Sequence, residues 1–222
     1  QAELEPQVSF IGAEPFVNGV AKILALVEEK NLANVKIHDG DARLATTVAE
    51  LLGIELIDSG IVGEGGGLEV DGAGTVLAAE SSWVNDNRNP GLGRDEIEGA
   101  LLELLGGDRL IWVDGLAGQD ITDGHIDTLA RFADARTIVV DRPAFDEPGD
   151  PWSDVAARTR EQVEAARTAE GDPYEVIEVV QPASPRGGGR DFLATYMNYY
   201  VCNGAVIAPE FGDADADAAA RA

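Results

Sequence analysis

The chain has 222 residues, of which 45% are hydrophobic and 26% are charged, a balance that is typical of a globular protein and not of a disordered one. Its formal net charge of −25 at pH 7 disfavours a nucleic-acid partner, because such a surface repels phosphate groups, and would attract a cationic ligand. No apolar run approaches the roughly 18–20 residues that span a bilayer, and no basic-then-apolar leader is evident. We therefore expect a cytoplasmic protein without a membrane partner. The acidic surface is equally typical of salt-adapted proteins, and both interpretations can hold together.

The predicted elements begin with helices and short strands in alternation. Apolar residues recur at helical spacing over 17–30 and again over 42–53, where Gly53 is suited to end the helix. Short strands are predicted over 34–40 and 54–60.

A hairpin and a helix follow. Strands are predicted over 68–70 and 75–80, joined by an Asp-Gly turn, which is a common hairpin signal. A helix is predicted to begin near Asp95, because acidic residues favour a helix N-terminus. Its apolar face is predicted to comprise Ile97, Leu101, Leu104 and Leu105. A strand over 109–115 closes the unit.

The same order of elements then recurs. A pair of strands over 125–141 is followed by a helix over 152–171, which Ser153 is predicted to cap, and by a strand over 174–182. A third copy begins over 191–213 and continues into a short helix. A strand–strand–helix–strand unit that repeats every 60–70 residues, roughly, predicts an α/β fold in which modules pack around a centre as a propeller-like array.

Two of these elements carry groups suited to chemistry. His125 and Asp127 are placed on a predicted strand, where residues two apart face the same side, so their side chains should project together. An imidazole beside a carboxylate suits general acid/base catalysis. The alternative is a structural histidine that is satisfied by one hydrogen bond.

Glu64 precedes three glycines, which suggests close backbone approach, and its carboxylate matches the planar fork of a guanidinium. The alternative is an exposed glutamate in a turn.

Other kinds of site find little support. Cys202 is the only cysteine, so no intramolecular disulfide can form, and its alternating apolar neighbours predict a buried strand with a structural thiol. The two histidines, His38 and His125, and the absence of paired Cys or His spacing argue against a transition metal. No Gly-x-Ser-x-Gly segment supports a serine nucleophile.

Four blocks resemble, in order, the agmatine deiminase and bacterial-type peptidyl-arginine deiminase family of the pentein, or guanidino-group-modifying, superfamily. They carry a Glu-Gly-Gly turn and an Asn-Arg-Asn-Pro segment, then a Gly-His-x-Asp, and last an Asn-Gly-x-x-x-x-Pro-x-Phe-Gly-Asp. The blocks are 64–92, 110–115, 118–132 and 191–213. Each motif alone is weak, but their combination is specific.

The resemblance implies a five-fold pseudosymmetric α/β propeller that hydrolyses a guanidinium to a ureido group and releases ammonia. It implies a cysteine thiolate as nucleophile and no metal or organic cofactor. It further implies that His125 is the general acid/base, that Asp127 binds the guanidinium beside it, and that Glu64 lines the substrate site. Agmatine is the foremost substrate expected, with free or peptidyl arginine as alternatives.

The sequence also departs from the family pattern. The family's nucleophile lies in a Gly-Gly-Gly-x-x-His-Cys segment after the Phe-Gly-Asp, and the sequence given ends at Ala222 before such a segment. The role is therefore not transferred to Cys202. The upstream Trp-x-Arg-Asp segment has no counterpart in 1–60. We therefore expect a single deiminase-like domain over 1–222 that holds an incomplete propeller, as a fragment, as a sequence with stretches missing, or as a degenerate relative.

Two rival functions remain open. A non-catalytic deiminase-fold protein, serving in binding or assembly, would be indifferent to replacement of His125, and a metal-dependent hydrolase would lose activity to chelators. Exposed module edges tend to pair with other strands, so a homo-oligomer is also expected.

Overall fold

The computed structural model describes residues 10–13, 35–38, 59–145, 147–187, 192–202 and 205–222. They fall into two compact units, 1–58 and 59–222, and each is described by itself. In the first unit, β1 (Phe10–Ala13) and β2 (Val35–His38) pair in parallel, which confirms the predicted strand around β2. The predicted helices over 17–30 and 42–53 lie outside the described residues, as does most of the strand over 54–60.

The second unit contains two modules of the same plan, which confirms the predicted strand–strand–helix–strand repeat and the α/β class. The first module comprises β3 (Leu68–Val70), β4 (Thr75–Ala79), a short α1 (Glu80–Trp83), α2 (Arg94–Leu105) and β5 (Arg109–Val113). The second comprises β6 (Ala130–Asp134), β7 (Thr137–Arg142), α3 (Pro151–Ala165) and β8 (Glu175–Val180). In each sheet the middle strand pairs antiparallel with its predecessor and parallel with its successor.

A third segment, described over 192–202 and 205–222, follows the two modules. It contains an antiparallel pair, β9 (Tyr200–Cys202) and β10 (Ala205–Ile207), and ends in α4 (Ala214–Ala220). The prediction that this strand pair is buried is wrong, because Tyr200, Val201, Val206 and Ile207 are each more than half exposed. Among the residues that the structure describes, β9 and β10 pair only with each other, so no further strand covers them.

Local hydrogen bonds explain where the elements turn. The predicted Asp-Gly turn is confirmed, because the Asp71 carboxylate accepts from the backbone N–H of Ala73 at 2.7 Å and of Thr75 at 2.8 Å. The prediction that Ser153 caps α3 is wrong. The cap is Asp150, whose carboxylate accepts from the Ser153 N–H at 2.8 Å, and Pro151 occupies the first helical position.

The hydrophobic core runs through both modules. Neighbouring residues of β4 face opposite ways, so that Leu77 packs with the second module while Ala78 packs under α2. The cluster around Leu77 includes β5, β7 and α3, and also Ile126, which is fully buried. The predicted apolar face of α2 is only partly correct. Ile97 and Leu101 are fully buried, whereas Leu104 and Leu105 lie exposed in the last helical turn.

Within the described ranges, no helix is both long and apolar enough to span a membrane.

One buried carboxylate joins the third segment to the second module. Asp141, near the end of β7, accepts hydrogen bonds of 2.6 Å from the Thr195 hydroxyl and of 2.6 Å from the Gln181 amide. Burial nevertheless outweighs these bonds and raises the pKa of Asp141 to about 6.

This pKa leads to a stability prediction. The folded state binds a proton at Asp141 more tightly than the unfolded chain does, so this residue's contribution to stability is full below about pH 4 and is lost as the pH rises through about 6. Replacing Asp141 by Asn should remove a pH-dependent contribution on the order of 3 kcal/mol. Urea unfolding of both proteins from pH 4 to 8 would measure it. Asp86→Asn, at an exposed position, is the control, and parallel pH curves for wild type and Asp141→Asn would contradict the assignment.

Candidate active site

His125 does not lie on a strand. It has an extended backbone (φ −61°, ψ 145°) and directly precedes a short 3-10 helix, Ile126–Thr128, so β6 begins only at Ala130. The strand prediction for His125 and Asp127 is therefore wrong. Their side chains still approach one point, because the fully buried Ile126 between them anchors this turn in the core.

That point is Gly66, in a second 3-10 helix, Gly65–Gly67, just before β3. A Cβ atom on Gly66 would lie 2.5 Å from Asp127 Oδ2 and 2.7 Å from His125 Nδ1. Both distances are too short for carbon, so only glycine allows the two side chains to close over this backbone. Gly67 is fixed from the other side, because its carbonyl accepts from the Trp83 indole at 2.6 Å.

The other imidazole nitrogen of His125 meets Glu64. His125 Nε2 lies 3.1 Å from Glu64 Oε2. Partial burial would raise the pKa of Glu64, but hydrogen bonds from Arg88 and His125 outweigh it and hold that pKa below its usual value. Glu64 is therefore an ionised acceptor, so His125 Nε2 carries the hydrogen that joins them. In a neutral ring, Nδ1 is then the unprotonated nitrogen and faces Gly66 and Asp127.

The pKa of Asp127 is shifted in the opposite direction from that of Glu64. Burial raises its pKa, although the charges of His125 and Arg131 act to lower it. Its Oδ1 atom is buried and has no hydrogen-bond partner within the part of the chain that the structure describes. A buried carboxylate oxygen without a donor is costly, and a ligand with N–H groups would satisfy it.

The loop that leads to His125 is held by its own side chains. Asp120 Oδ1 accepts from the Thr122 N–H at 2.9 Å and from the Gly124 N–H at 3.1 Å. The Thr122 hydroxyl in turn accepts from the His125 N–H at 3.2 Å. These bonds place the imidazole before any ligand arrives, which is the preorganisation that an active site requires.

Arg88, which belongs to the Asn-Arg-Asn-Pro segment, is a site residue that was not predicted from the sequence. Its Nε donates to both oxygens of Glu64, at 3.0 and 2.7 Å, and its Nη1 donates to Asp123 Oδ2 at 2.9 Å. Asp123 is the only non-glycine residue with positive φ, at 57°, within the described ranges. Neither carboxylate is near Arg88 in sequence, so only the fold reveals the contact.

A second ion pair lies beside this cluster and was also not predicted. Arg131 Nε donates to Glu69 at 2.7 Å, and its guanidinium lies 4.2 Å from the centre of the Tyr199 ring. Arg131 also donates to the backbone carbonyl of Tyr199. Burial raises the pKa of Glu69, against the lowering effect of Arg131. This pair joins β3, β6 and the third segment.

The structure thus brings together the three predicted site residues, Glu64, His125 and Asp127. Cys202 lies in β9, and its side chain, like that of His38, is outside the described part of the structure. Among the described residues, no group of three or more His, Cys, Asp or Glu side chains is arranged to hold a metal ion.

Comparison with known proteins decides the family. Residues 31–222 match the model of the Porphyromonas-type peptidyl-arginine deiminase family. The chain belongs to this family. It is 31% identical to an agmatine deiminase of Medicago truncatula over 192 residues, which cover 78% of this chain and 51% of that protein. It spans about half the length of the curated relatives that it matches.

Solved structures show the same fold. An agmatine deiminase of Enterococcus faecalis superposes with a TM-score of 0.69 and 24% identity, over 80% of this chain and 53% of that one. An agmatine deiminase of Campylobacter jejuni superposes with a TM-score of 0.67 and 21% identity, over 92% of this chain and 69% of that one.

The contact at Gly66 can be tested with its neighbour as a matched control. Gly66→Ala should displace His125 or Asp127 and lower the free energy of unfolding by about 1–3 kcal/mol, as overpacking does. Gly65→Ala adds the same methyl group in the same 3-10 helix, where no atom lies within 4 Å, and should have little effect. Urea unfolding and the NMR signals of the His125 ring measure both changes. Equal effects of the two substitutions would refute the close approach.

Proposed function

We propose that the chain carries the guanidinium-binding and proton-transfer groups of a hydrolase that converts a guanidinium to a ureido group with release of ammonia. The observation that carries this proposal is the buried Oδ1 of Asp127 near His125, which has no hydrogen-bond partner among the residues that the structure describes. A guanidinium supplies both the N–H donors and the positive charge that this carboxylate lacks.

The proposed roles follow from the two nitrogens of the imidazole. Asp127 would hold one edge of the guanidinium and orient its central carbon. A nucleophilic thiolate would add to that carbon, and His125 in its doubly protonated form would give a proton to the departing nitrogen, which leaves as ammonia when the C–N bond breaks and the ring becomes neutral. A water molecule would then attack, His125 would accept its proton, and the C–S bond would break to leave the ureido product.

We propose that the thiolate comes from the part of the relatives' length that this chain does not match. This agrees with the expectation that the nucleophile follows the Phe-Gly-Asp segment and that Cys202 is not the nucleophile. On the same basis, the repeated modules would form part of a propeller whose remaining modules complete the site. The proposal needs no metal or organic cofactor.

Agmatine is the substrate that we propose first. Relatives from Medicago truncatula and Enterococcus faecalis are named as agmatine deiminases, and the net charge of −25 favours a small cation. The family name points instead to arginine in a peptide, so free and peptidyl arginine are the competitors to test beside agmatine.

Binding by the 222-residue chain tests the carboxylate. Isothermal titration with agmatine should show that Asp127→Asn weakens affinity by at least about ten-fold, because a charge-assisted hydrogen bond is lost. Asp172→Asn removes the same charge at a side chain that is 63% exposed and should leave affinity unchanged. Equal affinity of wild type and Asp127→Asn would overturn the proposed site.

Turnover tests the proton transfer. The assay uses a longer protein that contains both this chain and the segment with the nucleophilic thiolate. It should release ureido product and ammonia from agmatine, and His125→Ala should lower the rate by about 100-fold or more. Absence of turnover by the wild-type protein would support the rival non-catalytic interpretation, and turnover that is indifferent to His125→Ala would overturn the proposed role of His125. Loss of wild-type activity with chelators would support the metal-dependent rival.

A further inference from the structure

We infer that Arg88 is a positioning residue that acts on His125 through Glu64, so that Glu64 orients the imidazole and is not a ligand of the substrate guanidinium. The inference deepens the proposed function and rests on it for the identity of the substrate. Its structural core, the chain of contacts from Arg88 to Glu64 to His125, can be tested without any substrate.

The first step is that Glu64 depends on Arg88 for its position. The Glu64 side chain is 49% exposed, whereas that of Arg88 is only 9% exposed. Glu64 Oε2 accepts from Arg88 Nε at 2.7 Å and lies 3.1 Å from His125 Nε2. A half-exposed glutamate that had only the imidazole as partner would retain much of its rotamer freedom. The buried guanidinium removes that freedom.

The second step is that Arg88 is itself fixed. Each of its three guanidinium nitrogens has an acceptor: Nε binds Glu64, Nη1 binds Asp123 and Nη2 donates to the Thr122 carbonyl at 3.1 Å. Asp123 and Thr122 lie in the loop just before His125. Arg88 therefore connects the glycine turn on one side of the imidazole with the loop on its other side.

The third step concerns the capacity of Glu64. Both of its oxygens already accept from Arg88, and one of them also meets His125. Asp127, by contrast, has a buried oxygen that no described residue contacts with a hydrogen bond. A substrate guanidinium would thus gain more from Asp127 than from Glu64, whose charge Arg88 already balances. Glu64 is left to keep the hydrogen of His125 on Nε2 and the free lone pair on Nδ1.

The ring proton of His125 provides a direct readout. A solvent-shielded imidazole Nε2–H that donates to a fixed carboxylate exchanges slowly and is visible by ¹⁵N-resolved NMR at pH 8. Because the chain has two histidines, His38→Gln assigns the signal. Arg88→Gln should accelerate its exchange by about ten-fold or more, as expected for the release of one charge-assisted hydrogen bond. Arg160→Gln is the control, since Arg160 also binds two carboxylates, those of Glu164 and Glu178, but is 50% exposed.

A double-mutant cycle separates positioning from general disruption. In the Glu64→Gln background, Arg88→Gln should change the exchange rate less than about two-fold, because its effect passes through Glu64. Unchanged exchange in folded Arg88→Gln, or an undiminished effect in the Glu64→Gln background, would overturn the inference. If Arg88→Gln does not fold, Arg88→Gln is combined with Asp123→Asn, which removes the Asp123 charge that would otherwise lack its ion-pair partner. If that protein also fails, Glu64→Gln alone decides, since unchanged exchange there overturns the inference.

Substrate binding then distinguishes the two proposals. Glu64→Gln should change agmatine affinity by less than about three-fold, whereas Asp127→Asn should weaken it by about ten-fold or more. Equal losses in both variants would make Glu64 a substrate ligand and overturn this inference while leaving the proposed function intact. If the wild-type chain does not bind agmatine either, the proposed function is overturned. The exchange measurement still tests the role of Arg88 in that case.

Discussion

The candidate site depends on how closely His125 and Asp127 approach the backbone of Gly66, where a methyl group would overlap both side chains. That approach requires two rigid partners. On one side, the Asp71 turn fixes the β3–β4 hairpin and Trp83 binds Gly67, so the glycine turn cannot move away. On the other side, the turn that carries the pair is anchored by Ile126 in the core shared by both modules. The site is therefore a product of module packing and not of either module alone.

This packing places the carboxylates of one small region in different environments. Hydrogen bonds from Arg88 and His125 outweigh burial and lower the pKa of Glu64, while burial raises the pKa of Asp127. Two carboxylates thereby acquire different roles, as in many active sites where the environment separates the pKa values of neighbouring titratable groups. Glu64 is committed to internal bonds, and Asp127 retains capacity for a ligand. One nitrogen of the His125 imidazole meets Glu64, and the other lies with Asp127 against Gly66.

The sequence could predict the parts of this arrangement that are local. The β3–β4 hairpin follows from an Asp-Gly turn between alternating segments, and the repeated unit follows from the order of strands and helices. Resemblance to a family pointed to Glu64, His125 and Asp127. Arg88 was missed because its partners lie 24 and 35 residues away, and only tertiary structure brings them to it.

Errors in the prediction also have physical causes. Ser153 and Asp150 are both residue types that cap helices, and residue type alone does not show which side chain accepts the N–H. In α3 it is Asp150, directly before Pro151. The alternating pattern around Cys202 is a real strand pattern, but alternation cannot show whether another strand covers it. Exposure of Val201 and Val206 is therefore a property of the assembled modules.

Polar links, and not apolar packing alone, connect the third segment to the rest of the unit, and one of them reaches the site. Asp141 binds Thr195, and Arg131 binds the Tyr199 carbonyl and faces the Tyr199 ring. The same Arg131 charge acts on Asp127 and opposes the rise of its pKa. The residue that holds the third segment thus also sets part of the charge balance at the candidate ligand site.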